Sequence, residues 1–169
     1  MQQPNFYRVG AGAAMVGAVV GLIFNLLHPR SNDALSNINA ELQMVADSGM
    51  WRWVHIGLAF AVAIGFVGYV AINFSMFNGP SDVWARAATI VGAVAAAVLL
   101  VLLALDGTVM KTLADRVTGG DDALRAPFTL LVEMNTALLT ASIALFFGLA
   151  PLLFGEALLG SGTYSTNLG

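Results

Sequence analysis

The stretch AATIVGAVAAAVLLVLLAL, from Ala87 to Leu105, contains no charged side chain and no polar group beyond the hydroxyl of Thr89. About 20 apolar residues in a helix cover a hydrocarbon core about 30 Å thick. A helix that is apolar on every side, rather than along one stripe, has no face to offer water. Three further stretches read the same way. Val9 to Leu27 has Asn25 as its only strongly polar side chain, and Ile56 to Ile72 has only the hydroxyl of Tyr69. Phe128 to Phe154 is broken only by Glu133, Asn135 and a scatter of hydroxyls.

The whole chain agrees with its parts. Of 169 residues, 58% are hydrophobic and 10% charged, and the mean hydropathy is +0.80. Soluble domains carry about 25% charged residues, so an ordinary soluble enzyme is excluded, and a disordered chain would need the opposite composition. The net charge of −3 supplies no basic footprint for nucleic acid. With no cysteine there is no disulfide, thiolate ligand or cysteine nucleophile. The expected class is an all-α integral membrane protein: a four-transmembrane-helix antiparallel bundle in a single domain, with spans at about residues 7–28, 51–77, 83–106 and 127–154.

Arg8 before the first apolar run resembles the start of a secretory signal, but the run ends in Asn25-Leu26-Leu27-His28-Pro29-Arg30 without a small-residue cleavage pattern. An uncleaved helix ending at Pro29 is expected. Between the first two spans, Leu35, Ile38, Leu42 and Val45 repeat every three or four positions after Asn32 or Asp33 as cap. This predicts a short amphipathic helix over about 33–48, lying on the membrane surface or over the end of the bundle. After Leu105 the helix is expected to run on through Val117 before Gly119-Gly120. Asn78-Gly79-Pro80-Ser81 predicts a tight turn, and the Gly/Ser/Thr-rich residues 156–169 a flexible tail.

Four spans leave both termini on one side. The two long connections share the other side and carry Arg30, Arg52, Lys111, Arg116 and Arg125, against Arg8 and Arg86 at the opposite end. The positive-inside rule then puts both termini on the non-cytoplasmic side. Trp51, Trp53, Tyr7, Phe77 and Trp84 fit aromatic belts. Small residues at four-residue spacing, such as Ala13, Gly17 and Gly21 or Gly57, Ala61 and Gly65, predict close helix contacts within the chain or in a homo-oligomer.

Ionisable groups at membrane depth are costly and call for a reason. His28 ends the first span, His55 begins the second, Asp106 ends the third and Glu133 lies early in the fourth. Because successive spans reverse direction, all four belong at one end of the bundle. Two imidazoles and two carboxylates form a first shell for a transition metal, and two histidines on adjacent helices form axial ligands for haem. Asn25 and Arg52 are the nearest candidates for a supporting shell. Each residue also has a plainer account: His28 as a helix C-terminal cation, Asp106 as a solvated end residue, Glu133 as a partner of Arg52 or a histidine. Thr129, Thr136 and Thr140 share a helical face with Glu133, either as a polar path or as hydroxyls bonded back to their own helix. Nucleotide-binding and hydrolase motifs are missing from the sequence. Two functions follow from this reading. One is a small membrane subunit or scaffold of a complex of membrane proteins; the other is a metal- or haem-binding four-helix protein serving electron transfer, metal handling or proton-linked transport.

Overall fold

A computed structural model describes residues 4–30 and 37–162. All regular structure among them is helical, in the order α1 (Pro4–Leu27), α2 (Ile38–Asp47), α3 (Trp51–Ser75), α4 (Asp82–Ala104), a π-helical segment (Leu105–Met110), α5 (Lys111–Thr118), a 3-10 turn (Asp122–Leu124), α6 (Arg125–Ile143), a second π segment (Ala144–Leu149) and α7 (Ala150–Gly160). Four helical runs are long and apolar enough to cross a membrane: Asn5–Leu27, Trp51–Ser75, Asp82–Thr118 and Asp122–Gly160. The third is 37 residues long, about 55 Å at 1.5 Å per residue, so about 25 Å of it projects beyond a hydrocarbon core.

The helices pack through their smallest residues. A Cβ on Gly17 would stand 2.7 Å from the backbone of Gly65, and one on Gly10 would overlap Ala71. Gly57 receives the ring of Phe24, and Gly92 that of Tyr69. The start of α1 therefore meets the end of α3, and the start of α3 meets the end of α1. Packing proceeds in a row, with α1 against α3, α3 against α4, and α4 against α6 and α7. The buried positions are largely alanine, including Ala85, Ala88, Ala95 and Ala96, while Leu22, Leu26, Ile90, Phe147 and Leu152 point outward. Dispersion between close backbones, rather than burial of large side chains from water, is the packing mode of helices in lipid.

The helix after the first span begins later than its hydrophobic repeat suggests. Asn37, not Asn32 or Asp33, caps α2, its Oδ1 accepting from the backbone N–H of Ala40 at 3.1 Å. Residues 31–36, including those two expected caps and Leu35, lie outside the described residues. Leu42 and Val45 are buried against Trp51, Met110, Ala114, Val117 and Phe128, so α2 sits on the projecting α5 end. Lys111 Nζ donates to the carbonyl of Ala46 at 2.6 Å, and Arg125 Nη1 to Asn39 Oδ1 at 2.5 Å.

At the opposite end, Asn78 takes a positive φ of 59° in the turn before α4. There the expected flexible tail is corrected in part: residues 156–160 are the end of α7, because Phe154 and Ala157 continue its buried face against Met76, Ala85 and Ala88. Gly160 lies so close to Ser81 that a Cβ would stand 2.7 Å from its Oγ. Residues 163–169 lie outside the described residues. The second π segment leads into Pro151. In an i to i+5 register the carbonyl of Phe146 would pair with Pro151, which has no N–H. Tyr69 Oη supplies the missing donor at 2.6 Å, its ring stacked on Phe146.

Candidate metal centre

Trp51, the first residue of α3, is 1% exposed, whereas Trp53, two residues on, is 63% exposed. Only the second has the exposure that an interfacial belt requires. The Trp51 indole lies against the rings of both His28 and His55, with centroids 5.2 and 4.8 Å away, and its Nε1–H donates to the carbonyl of Asp106 at 2.9 Å. This indole therefore joins the end of α1, the start of α3 and the π segment after α4. Its role went unread in the sequence, where the Trp51 and Trp53 pair suggested a belt; the usable signal was that Trp51 stands four residues before His55 on one helical face.

His28, His55 and Asp106 converge, each offering a ligand atom within 4.8 Å of the others. His28 Nε2 is 3.3 Å from His55 Nε2, and His55 Nε2 is 3.0 Å from Asp106 Oδ2. Two features permit this approach. Gly107 is buried against His55, where a Cβ would come within 2.7 Å of the histidine's own Cβ. The π segment Leu105–Met110 also shifts the helix phase locally, a distortion frequent at functional sites.

The hydrogen bonds fix the tautomers. Nδ1 of His55 lies 2.7 Å from the carbonyl of Trp51, and Nδ1 of His28 lies 2.5 Å from that of Pro29. A carbonyl only accepts, so both Nδ1 atoms carry the proton and donate. In the neutral rings both Nε2 atoms then hold a lone pair. Two nitrogen lone pairs and a carboxylate oxygen face one another, and Asp106 Oδ1 is a further buried acceptor without a partner. Such a set repels itself unless a cation lies among its members or a proton on His55 Nε2 is shared with Asp106 Oδ2. A ring nitrogen tied to a backbone carbonyl, with the other left free, is also how protein metal sites orient their histidines. Ligands at 2.0–2.1 Å around a tetrahedral ion stand about 3.3 Å apart, close to the two contacts of 3.0 and 3.3 Å at His55 Nε2. The widest separation among the three ligand atoms, up to 4.8 Å, would have to contract for all three to bind one ion.

The other expected site residues fall elsewhere. Glu133 is exposed on the outer side of α6, beside Asp122, Arg125 and Thr129, and does not join the cluster. It is one helical step past buried Val132, and that 100° turns it away from the core. Thr129, Thr136 and Thr140 donate to the carbonyls of Arg125, Val132 and Thr136, each four residues back. With Thr136 and Thr140 exposed, the stripe is a set of self-bonded hydroxyls and not an interior path. Asn25 accepts from Arg30 Nη2 at 2.8 Å rather than orienting His28. Arg52 reaches Thr112 Oγ1 at 3.4 Å and not the cluster. Haem is also disfavoured: the macrocycle would have to separate two imidazoles whose nitrogens are already in contact.

The class defined by fold and site is an all-helical protein with four membrane-length apolar helices and a two-histidine, one-aspartate cluster. Compared with protein-family models, with curated proteins and with solved structures, the chain matches none.

Proposed function

We propose that this chain is a transition-metal-binding membrane protein, its ion held by Nε2 of His28, Nε2 of His55 and Oδ2 of Asp106. The observation carrying this reading is the convergence of two imidazole Nε2 atoms and a carboxylate oxygen, with both Nδ1 atoms tied to backbone carbonyls. Imidazole with carboxylate suits zinc, iron, copper or manganese. Three protein ligands leave a fourth position open, as in sites that take an external ligand. The four apolar helices cross the bilayer alternately as an antiparallel bundle, with α2 as a surface helix over the end bearing the cluster and both termini on the non-cytoplasmic side. The lipid bilayer covers the outward Leu, Ile and Phe side chains, so those faces call for no partner subunit.

Elemental analysis of detergent-purified protein, made in metal-replete medium, tests the proposal. The expected result is about one equivalent per chain, lost in His55→Ala and Asp106→Asn and kept in Glu133→Gln. Wild-type protein without metal refutes it and leaves an imidazolium–carboxylate pair.

A further inference from the structure

A groove of about 350 Å³ follows the seam between α3 and the end of α4, and no residue of α1 or α6 lines it. Its volume falls within the range of single-ligand sites, about 300–1,000 Å³. On α3 it runs from Arg52 past His55 and Ala59 to Ala63, a rise of about 16 Å; on the neighbouring helix it runs from Thr108 back to Leu100, about 12 Å. One leaflet is half of a hydrocarbon core about 30 Å thick. Arg52 is the second residue of its span, and Trp53 beside it has the exposure of an interfacial side chain. The groove therefore starts at one interface and ends near mid-membrane, and a partner helix that crosses the bilayer would overrun it.

Below Arg52 the wall is apolar apart from His55 and the hydroxyl of Thr108, which donates to the carbonyl of Ala104. Arg52 itself is exposed at the mouth. Arg86, Lys111, Arg116 and Arg125 each pair with a carboxylate, but no carboxylate among the described residues pairs with Arg52. Its hydrogen bond to Thr112 Oγ1 is a long one, 3.4 Å. A guanidinium carries five N–H donors in a fork that matches phosphate. The complementary occupant has a hydrocarbon chain of one leaflet's depth and a negatively charged phosphate at its head. We infer that the seam holds an acyl chain of an anionic phospholipid, whose phosphate lies on Arg52. Basic pockets between spanning helices bind anionic headgroups in this way. His55 is part of the wall, so the seated chain touches one member of the cluster, but the inference does not rest on the metal reading.

Native mass spectrometry of the full chain, released from nanodiscs of equimolar dioleoyl-phosphatidylglycerol and dioleoyl-phosphatidylcholine, counts the lipids that stay bound. One retained lipid per chain is expected, with phosphatidylglycerol favoured about fivefold, the preference that a single basic residue at the surface supplies. Arg52→Gln should erase that preference, while Arg8→Gln, exposed at the opposite end, should keep it. Ala59→Phe and Ala63→Phe fill the seam and should abolish retention of either lipid. Val94→Phe, on an exposed part of α4 outside the groove, should not. Equal retention of the two lipids, a preference that survives Arg52→Gln or falls equally in Arg8→Gln, or retention indifferent to both seam-filling variants overturns the inference. So does a dimer of the detergent-purified chain that both of those variants dissociate, since a second copy would then occupy the seam. Metal content enters none of these readouts, so a metal-free protein that meets them refutes the metal reading alone.

Discussion

Replacing Gly107 by alanine adds one methyl group at the point where the π segment touches His55. The new Cβ would stand 2.7 Å from His55 Cβ, whereas carbon atoms rest at about 3.5–4.0 Å. The segment must therefore retreat by about 1 Å. Asp106 is the adjacent residue, and its Oδ2 lies 3.0 Å from His55 Nε2, a separation that opens to about 4 Å if the carboxylate moves with its backbone. Metal sites tolerate deviations of about 0.2 Å in ligand distance. The expected loss of metal affinity is about 10- to 100-fold, or about 1.4–2.8 kcal/mol at 1.4 kcal/mol per decade. Fold stability of the metal-free protein should fall by about 0–2 kcal/mol. Overpacking costs about 1–3 kcal/mol, but alanine is the better helix former by about 0.8–1.0 kcal/mol. Chelator-competition titration gives the affinity, and thermal unfolding of the metal-free protein gives the stability. Wild-type affinity in Gly107→Ala refutes the argument that this glycine sets the reach of Asp106.

Asn135 is buried with neither amide atom hydrogen-bonded. Removing an unsatisfied buried polar group recovers about 1–3 kcal/mol, so Asn135→Leu should raise the unfolding temperature in detergent, and a lowered one would refute this account. Gly17→Leu should drive α1 from α3, because even its Cβ meets the Gly65 backbone at 2.7 Å; metal affinity should fall with it, since His28 ends α1, and retained affinity would show that α1 docks by other contacts. Asn37→Ala removes the α2 cap and should cost about 1 kcal/mol, read as faster hydrogen exchange over residues 38–47. Unchanged exchange there would mean that Leu42 and Val45 hold the helix without its cap.

The spans were legible because their evidence is local and one-dimensional: a run such as Ala87 to Leu105 is apolar whatever its helical phase. Site membership was legible only as far as depth. Reversing spans puts His28, His55, Asp106 and Glu133 at one end, but whether each side chain turns inward depends on phase and on distortions that spacing does not reveal. Asp106 is brought in by a π segment, and Glu133 is turned out by one step past Val132. The α2 boundary was misread because the apolar repeat beginning at Leu35 extends past the cap that starts the observed helix, Asn37.

The contacts of α1 give the metal a second meaning. Among the described elements α1 packs chiefly on α3, with glycines at the closest approaches, and on the metal reading proposed above His28, just after its last turn, would give a ligand to an ion also held by α3 and the π segment after α4. A ligand present at 1,000 times its dissociation constant stabilises the bound state by about 4.1 kcal/mol. On that reading metal would act as a thermodynamic clasp on the first helix, and its removal would loosen α1 from α3.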